Sequence, residues 1–330
     1  MPARKGRCPN FGNCNIADSR EVIVVPPGAD DLCTACSAKL NLEALPPRDY
    51  RWMAIATVLI LGLLGGVTWL VPKVKTAPFP TGQNSIGMRF AKIPSTGTYW
   101  SIWETRVSDF AAFIKENPEK TPTEMVSLAA GKDQDTGNFW RAIGRSWNQP
   151  EFEQSDKHPV VGVSFEDGQA FCDWLNEKER VELKKFHLKY RLPTEEEWKA
   201  AAAYNGTYPW GNDWTSLVKS GEPPGNYAGV ELRGDPGWPA QFKTIAGYSD
   251  GRQRTAPVGT YAANRFGLFD MDGNVSEWCS TGTASVNNVA CGGSWCSREP
   301  EELEATAREE LPLNTRNSRI GFRVIAAPEK

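Results

Sequence analysis

One uninterrupted apolar segment constrains this chain more than any other feature. Residues 52–71, WMAIATVLILGLLGGVTWLV, contain no charged side chain, and about 20 helical residues are needed to cross a hydrocarbon core of roughly 30 Å. A buried core helix rarely runs so long without charge, and the apolar part of a cleaved signal peptide is shorter and starts closer to the N-terminus. Trp52 and Trp69 would lie near the two membrane interfaces. The segment therefore predicts a single transmembrane helix.

Charges on the two sides of this segment are balanced, so they do not decide its orientation. Two arginines precede it and two lysines follow it. Other basic residues favour a cytoplasmic N-terminus, namely Arg4, Lys5, Arg7 and Lys39. We therefore expect a single-pass protein of the cell inner membrane, whose C-terminal domain is periplasmic or otherwise extracytoplasmic. Gly62 and Gly66 have the GxxxG spacing that lets helices approach closely, which would support a homodimer through the transmembrane helix.

The first 45 residues contain four of the eight cysteines, arranged as C-x5-C and C-x2-C: Cys8, Cys14, Cys33 and Cys36. Two such pairs suit a tetrahedral zinc site with four thiolate ligands, which is structural because no ligand position is left open. The first spacing is wider than the usual two to four residues, and two disulfides in an exported head are the alternative. The segment resembles the zinc ribbons at the N-termini of many bacterial membrane proteins. We expect residues 1–45 to form a zinc-ribbon-like head.

The remaining chain divides into linkers and one large domain. Residues 46–51 and 72–83 read as linkers on either side of the membrane segment, and residues 84–330 read as the globular domain. The chain has 30 Gly, 24 Pro and 13 Trp, and so many turn residues among aromatics favour an irregular, loop-rich fold. The net charge of −3 gives no general attraction for nucleic acid, and none is expected as a partner.

Local patterns in the large domain predict two strands and three helices. The strands lie near residues 88–93 and 98–102. One helix follows Thr105, and two more begin at the capping boxes Ser164-x-x-Asp167 and Thr194-x-x-Glu197. The apolar faces of the three helices contain Val107, Phe110, Phe113 and Ile114; Ala170, Phe171, Trp174 and Leu175; and Trp198 and Ala202. No helix is indicated for about 90 residues after Ala203, which is long for a loop without support from metal ions.

Several segments of this domain resemble the formylglycine-generating enzyme, or sulfatase-modifying factor, superfamily. In family order they are NSIGMRF (84–90), HPVVGVSFEDGQAFCDWLNEK (158–178), YRLPTEEEW (190–198), YPWGN (208–212), TAPVGTYAANRFGLFDMDGNVSEW (255–278), GGSW (292–295) and RNSRIGFRV (316–324). Together they span nearly everything after residue 84. The resemblance implies an α+β domain with the irregular variant of the C-type-lectin-like fold.

Members of this family commonly hold two calcium ions in the loop-rich region, and the resemblance carries both sites over to this chain. The positions matching the first site are Asn226, Tyr227, Asp250 and Arg252, where Tyr227 and Arg252 would offer only backbone carbonyls. The positions matching the second site are Asp270, Met271, Gly273 and Val275, with Asp270 as the only carboxylate. Asp250 and Asp270 are equally typical of residues that cap turns, so both interpretations stay open.

The resemblance also raises the question of oxidase chemistry. A formylglycine-generating enzyme oxidises a substrate cysteine with copper and two of its own cysteines, spaced C-x4-C after a GGS-aromatic motif. Here Cys296 falls one residue earlier than the family position, and Glu301 stands where the second cysteine should be. Cys291 and Cys296 have the C-x4-C spacing, but the double glycine lies between them. A disulfide between these two, or with Cys279 or Cys172, is the alternative.

Other enzyme classes have less support. The chain has only two histidines, His158 and His187, which is too few for a histidine-rich iron site. No nucleophile-elbow, P-loop or dinucleotide-binding fingerprint occurs outside the membrane segment.

We therefore expect a membrane-anchored, non-catalytic member of the superfamily that binds a peptide, a protein or a glycan. The candidate ligand-binding residues surround the former active site: Ser294, Trp295, Cys296, Arg298 and Arg308. Arginine pairs with carboxylates and tryptophan stacks on ligands, although each residue could equally be structural. The alternative is an active oxidase that uses Cys296 and copper to convert a sulfatase cysteine to formylglycine. A third interpretation is a purely structural subunit of a membrane assembly.

Overall fold

The computed structural model describes residues 82–329, apart from 133, 135, 136, 143, 144, 220 and 283–285, together with three short strands in the first 45 residues. The predicted zinc ligands Cys8, Cys14, Cys33 and Cys36 lie outside the described residues, and so does the predicted transmembrane segment 52–71. Within the described part of the chain, no helix has both the length and the apolar character needed to span a bilayer.

The chain divides into two compact units, residues 1–73 and 74–330. The first unit contains the strands β1 (Arg4–Arg7), β2 (Val22–Val25) and β3 (Asn41–Glu43). They form an antiparallel sheet in the order β2-β1-β3, in which Arg7 is opposite Val22 on one side and Asn41 on the other.

The second unit mixes small sheets with helices. Its strands are β4 (Phe90–Ile93), β5 (Thr98–Ser101), β6 (Val126–Leu128), β7 (Trp140–Ala142), β8 (Leu188–Arg191), β9 (Ser276–Cys279), β10 (Asn287–Cys291), β11 (Arg308–Pro312), β12 (Ile320–Gly321) and β13 (Ile325–Pro328). One sheet has the order β4-β5-β13-β8, a second has the order β11-β10-β9-β12, and β6 pairs with β7. The predicted strands at 88–93 and 98–102 are therefore confirmed as an antiparallel pair, β4 and β5.

The helices are α1 (Val107–Glu116), α2 (Phe165–Lys178), α3 (Arg180–Phe186), α4 (Glu195–Ala202) and α5 (Ser216–Lys219). Short 3-10 turns occupy Pro118–Lys120, Val230–Gly234 and Pro300–Glu302. The sequence patterns predict α1, α2 and α4 but miss α3 and α5. Residues 203–275 are mostly turns and bends, which agrees with the absence of predicted regular structure there.

Both predicted capping boxes form. Ser164 Oγ accepts a hydrogen bond from Asp167 N (3.1 Å), and the Asp167 carboxylate accepts one from Ser164 N (2.8 Å). Thr194 and Glu197 repeat this exchange at 3.2 and 2.9 Å. Each box satisfies backbone N–H groups that the first helical turn leaves without a partner, which fixes where α2 and α4 begin.

The core packs these helices against the sheets. Phe110 of α1 lies 6.1 Å from Phe171 of α2, measured between ring centroids, and 6.3 Å from Phe322 beside β12. On the second sheet, Trp278 donates from its indole nitrogen to Val163 O (2.9 Å), which ties β9 to the segment before α2. This packing holds β9 and β10 in place, and the loop that leaves β10 carries the candidate site.

Candidate functional site

The loop after β10 begins with the double glycine of the GGSW motif. Gly292 has φ of +79°, and a Cβ atom there would lie 3.0 Å from the Trp198 ring. A Cβ atom on Gly293 would lie 2.7 Å from the Leu303 side chain. Glycine tolerates both the backbone conformation and the close approach. Glycine at positions 292 and 293 is therefore needed for residues 294–297 to pack against the core.

A cavity of about 390 Å³ lies beside this loop. It brings together Cys296, Arg298 and Arg308 from the predicted set. Its other lining residues are Trp140, Phe242, Ser276, Ala290, Gly292, Ser297, Glu301, Glu302, Ala307, Glu309 and Arg319. The cavity combines two aromatic rings, three arginines and three glutamates, so its lining is polar without a strong net charge.

Cys296 contributes a buried thiol to this cavity. Its residue is 6% exposed, and Sγ lies 3.4 Å from Ser294 Oγ. Burial raises the pKa of the Cys296 thiol, and the nearby Arg319 charge offsets only part of that rise. The thiolate is the reactive form of cysteine, so Cys296 is poorly activated at neutral pH.

The other described cysteines do not join Cys296. Cys172, Cys279 and Cys291 are buried and free, and neither they nor Cys296 form a disulfide. Cys279 and Cys291 pack together in the apolar cluster around Trp198. The disulfides considered from the sequence are therefore absent among the described residues.

Ser294 and Trp295 are not among the residues that line the cavity. Both are fully buried. The Trp295 indole nitrogen donates to Ser318 O (3.1 Å), and the Arg254 guanidinium covers the ring at 4.3 Å from its centroid. The structure thus gives Trp295 a supporting position in the core, with the Arg254 guanidinium stacked on its ring.

The two predicted arginines are already engaged. The Arg298 guanidinium lies 4.1 Å from the Phe242 ring centroid. Arg308 Nε lies 3.0 Å from Glu195 Oε1. Sequence reasoning missed Arg319, which pairs with Glu309 and lines the same cavity. Its Nε is buried without a hydrogen-bond partner among the described residues, and no local pattern in the sequence signals that.

The first predicted calcium group is brought together by hydrogen bonds. Asp250 accepts from Tyr227 N (2.9 Å) and from Arg252 N (2.8 Å). Asn226 is fully buried, and its Oδ1 has no hydrogen-bond partner among the described residues. Burial raises the pKa of Asp250 to about 7. An unpaired amide oxygen, on the residue before the one whose N–H bonds the Asp250 carboxylate, suits a hard cation such as calcium. The bond from Arg252 N also makes Asp250 a turn cap.

The second predicted calcium group centres on Asp270, which has φ of +52°. Its Oδ2 accepts from Gly259 N, and its buried Oδ1 has no partner among the described residues. Met271, Gly273 and Val275 follow it in the same loop and could offer only backbone carbonyls. Sequence reasoning missed the acidic neighbours Glu104 and Glu277, both of which are buried.

The part of the chain that the structure describes contains no cluster of three or more His, Cys, Asp or Glu side chains arranged to hold a metal ion. Any cation in either group would therefore depend on one or two carboxylates and on amide or backbone oxygens. Calcium accepts such mixed oxygen ligands. The oxygen ligands that these residues offer are of the type that calcium prefers, and both calcium sites stay predictions.

Comparisons with known proteins agree with this architecture. Residues 90–328 match the family described as the sulfatase-modifying factor enzyme 1-like domain. A formylglycine-generating enzyme of Streptomyces coelicolor is 29% identical over 269 residues, which cover 67% of this chain and 76% of that protein. The inactive C-alpha-formylglycine-generating enzyme 2 of Bos taurus is 26% identical over 257 residues, or 67% and 74% of the two chains. The structure of PvdO from Pseudomonas aeruginosa aligns with a TM-score of 0.50 at 21% identity, covering 73% of this chain and 91% of that one, and shows a shared fold.

Proposed function

This chain belongs to the family of sulfatase-modifying factor enzyme 1-like domains, and from that premise we propose that it is a non-catalytic member. Its role would be to bind a peptide, a protein or a glycan through the cavity beside Cys296. One observation carries this proposal: among the described residues that line the cavity, Cys296 is the single thiol.

Copper oxidation of a cysteine substrate needs more than one thiol. Cu(I) is a soft ion that is selected by thiolate and thioether ligands. The position five residues beyond Cys296 is occupied by Glu301, whose carboxylate is a hard ligand. Cys279 and Cys291 belong to a separate apolar cluster and do not line the cavity. Only one soft ligand therefore faces the space where a substrate would react.

The same lining supports binding. A guanidinium has five N–H donors, so Arg308, which uses Nε on Glu195, and Arg298, which stacks on Phe242, can still donate to a ligand carboxylate. The cavity also presents the rings of Trp140 and Phe242. The three glutamates at the rim can accept from amides or hydroxyl groups. Loops held by a rigid scaffold commonly carry such recognition surfaces. A polar chain such as a peptide matches this mixture better than an apolar small molecule does.

A copper titration tests the proposal directly. The purified chain, with Cys8, Cys14, Cys33 and Cys36 replaced by serine so that these thiols cannot bind the metal, is titrated with Cu(I) and assayed for oxygen uptake with a cysteine-containing peptide. We expect weak copper binding and no oxygen uptake, both unchanged in Cys296→Ser and in the control Cys172→Ala, whose thiol lies in another core cluster. Tight binding with oxygen uptake that Cys296→Ser abolishes would establish the oxidase instead, the activity named for relatives such as the Streptomyces enzyme.

We also propose that residues 52–71 anchor the chain in the inner membrane, with the N-terminus in the cytoplasm and the large domain in the periplasm. The support is the uncharged stretch and the basic residues that precede it. Reporter fusions at the two ends test this topology. An exported reporter that is active at the N-terminus would reverse the orientation, and a chain found only in the soluble fraction would remove the anchor. Crosslinking of the wild type and of Gly62→Leu then tests the homodimer.

For the head we propose a structural zinc ion held by Cys8, Cys14, Cys33 and Cys36. Metal analysis of the purified chain should find one zinc ion, which is lost when Cys33 and Cys36 are both replaced by serine. The alternative gives a different result: two disulfides would leave these four thiols unavailable to alkylation until a reductant is added, with no zinc bound. We propose no nucleic-acid partner for the head, because its basic residues are few beyond the first seven positions.

A further inference from the structure

The strand β11 (Arg308–Pro312) lies at the edge of its sheet, in which the strand order is β11-β10-β9-β12. Four of its five residues are exposed, and Leu311 is half-buried. An edge strand has a row of backbone N–H and C=O groups on its outer side, and such a row can pair with a strand of another chain. The register with β10 shows which groups of β11 point outwards.

A backbone hydrogen bond between the ends of β10 and β11 gives this direction. Gly292 N donates to Ala307 O (3.0 Å), so Ala307 bonds towards β10. Residues that bond towards a neighbouring strand alternate along an antiparallel pair, and Glu309 therefore bonds towards β10 as well. Arg308 and Glu310 direct their backbone N–H and C=O groups outwards, away from β10.

We propose that a second copy of this chain pairs with β11, edge to edge and antiparallel, about a twofold axis at Glu309. Arg308 of each copy then lies opposite Glu310 of the other copy, and these two residues exchange both of their backbone hydrogen bonds. The same surface is used by both copies, as a twofold interface requires. The two sheets join into one continuous sheet across the interface.

Charge complementarity selects this register over its neighbours. An axis at Arg308 would set arginine opposite arginine, and an axis at Glu310 would set glutamate opposite glutamate. Like charges directly opposite each other are destabilising, whereas opposite charges are stabilising. An axis at Leu311 would match Glu310 with Pro312, which has no N–H to donate. The axis at Glu309 is the one that pairs arginine with glutamate and keeps every hydrogen bond.

The charges within each chain are compatible with this pairing. The two copies of Glu309 meet at the axis, but each forms an ion pair with Arg319 of its own chain, which reduces their repulsion. Arg308 is held by Glu195 (3.0 Å), whereas Glu310 of the same chain lies 3.9 Å from Arg308, at the limit of an ion pair. Glu310 therefore gains a closer partner from the second copy. Charged residues commonly protect an edge strand from pairing, and here they restrict it to one register.

The rival occupant of this edge is an extended peptide of another protein, which would use the same outward backbone groups. Arg308 and Glu309 also line the cavity beside Cys296, so either occupant would lie at the rim of that cavity. A peptide does not need a self-complementary strand, and it leaves the copies of this chain apart. The self-complementary charges of β11 favour the second copy.

Cysteine crosslinking of the full chain tests the register. The head cysteines are first replaced by serine: Cys8, Cys14, Cys33 and Cys36. Glu309→Cys then places its two thiols in a pair that is not hydrogen-bonded, with Cα atoms about 4.5 Å apart, which permits a disulfide. In the matched control Glu310→Cys, on the same exposed strand, the Cα atoms are about 8–9 Å apart, which is too far. We expect the oxidant diamide to link Glu309→Cys about tenfold faster than Glu310→Cys.

Charge reversal tests the pairing itself. Arg308→Glu sets glutamate opposite Glu310, so it should slow the Glu309→Cys crosslink about fivefold, and adding Glu310→Arg should restore the rate. Both cysteine variants keep the membrane segment, so a dimer made by that segment alone would favour neither of them. Equal crosslinking rates at the two positions, or a charge reversal that slows nothing, would overturn the proposal.

Sedimentation gives a second measurement if Glu309→Cys does not fold. The wild type should associate as its concentration rises, and Arg308→Glu should associate less. A wild type that stays monomeric at every concentration, or that associates no more than Arg308→Glu does, counts against the second copy as the occupant. These outcomes are independent of whether the cavity beside Cys296 binds a peptide or copper.

Discussion

Arg323 and Glu277 form an ion pair inside the domain, with Arg323 Nη2 2.7 Å from Glu277 Oε1 and the two side chains 0% and 1% exposed. Glu277 lies on β9, and Arg323 lies between β12 and β13. The guanidinium also donates to Ser101 O (2.9 Å) and Phe269 O (2.7 Å). One side chain thus joins the two main sheets and the loop that precedes the second calcium group.

Removing this arginine should destabilise the domain strongly. Arg323→Met leaves Glu277 buried beside Glu104 and Asp270 with no opposite charge. Breaking a buried pair by deleting one partner costs about 3–5 kcal/mol, and chemical denaturation should show a loss of that order. The double variant Glu277→Gln, Arg323→Met removes both charges and should lose less than Arg323→Met alone. Equal losses in the two variants would show that lost packing, rather than the unpaired charge, dominates.

How far the sequence predicts the structure depends on how local each feature is. The starts of α2 and α4 are readable because each capping box is complete within four residues, as in Ser164-x-x-Asp167. The helix α3 (Arg180–Phe186) escapes notice because its surface is mostly charged and only Leu183 is buried. The contact between Glu104 and Asn274 joins residues that are distant in sequence. This contact results from tertiary packing and cannot be inferred from the spacing of residues in the sequence.

The same contrast between local features and long-range packing applies to the candidate site. The motif GGSW locates the loop, and Cys296, Arg298 and Arg308 line one cavity beside it. Trp295 belongs to the same motif, but packing buries it against Arg254 and leaves it out of the cavity lining. Burial and side-chain direction depend on the three-dimensional neighbours of a residue, and these were not available from one sequence.

Loss of the N-cap of α2 gives a second stability test. Ser164→Ala removes the oxygen that accepts from Asp167 N, and such changes cost about 1 kcal/mol. Asp167→Asn should cost more, because Asp167 also receives two hydrogen bonds from Arg316 at 2.7 and 2.9 Å. Urea unfolding measures both losses. The control Thr123→Ala changes an exposed residue outside the helices and should stay within about 0.5 kcal/mol of the wild type.

His158 should make stability depend on pH. Burial, with a smaller contribution from Arg252, lowers the pKa of His158 to about 4, compared with about 6.5 in an unfolded chain. Between these values the unfolded chain binds more protons than the folded chain does, so stability falls as the pH drops from about 6.5 to 4. His158→Gln keeps a polar partner for Thr255 Oγ1, 3.0 Å away, but removes the titration.

The measurement is the free energy of unfolding of the wild type minus that of His158→Gln, followed across this pH range. We expect the difference to decrease as the pH falls, because only the wild type has an imidazole that the folded state keeps neutral, at a cost in folding free energy. Other groups titrate in both proteins and cancel in the difference. A difference that does not change between pH 4 and 6.5 would mean that the folded domain leaves the pKa of His158 unaltered.

The charges around Cys296 should set the pH at which its thiol reacts. Burial raises the pKa of Cys296, the Arg319 charge lowers it, and the Glu302 charge raises it. Alkylation with iodoacetamide, read from the Cys296 peptide by mass spectrometry, should therefore be slow at pH 7 and should accelerate only in alkaline solution. Arg319→Met should move the midpoint of this pH profile upwards, and Glu302→Gln should move it downwards.

The midpoint distinguishes an effect on the thiol pKa from an effect on reagent access, because a change that only opens the cavity raises the rate at every pH and leaves the midpoint in place. Midpoints that shift in the same direction in both variants would contradict this electrostatic account.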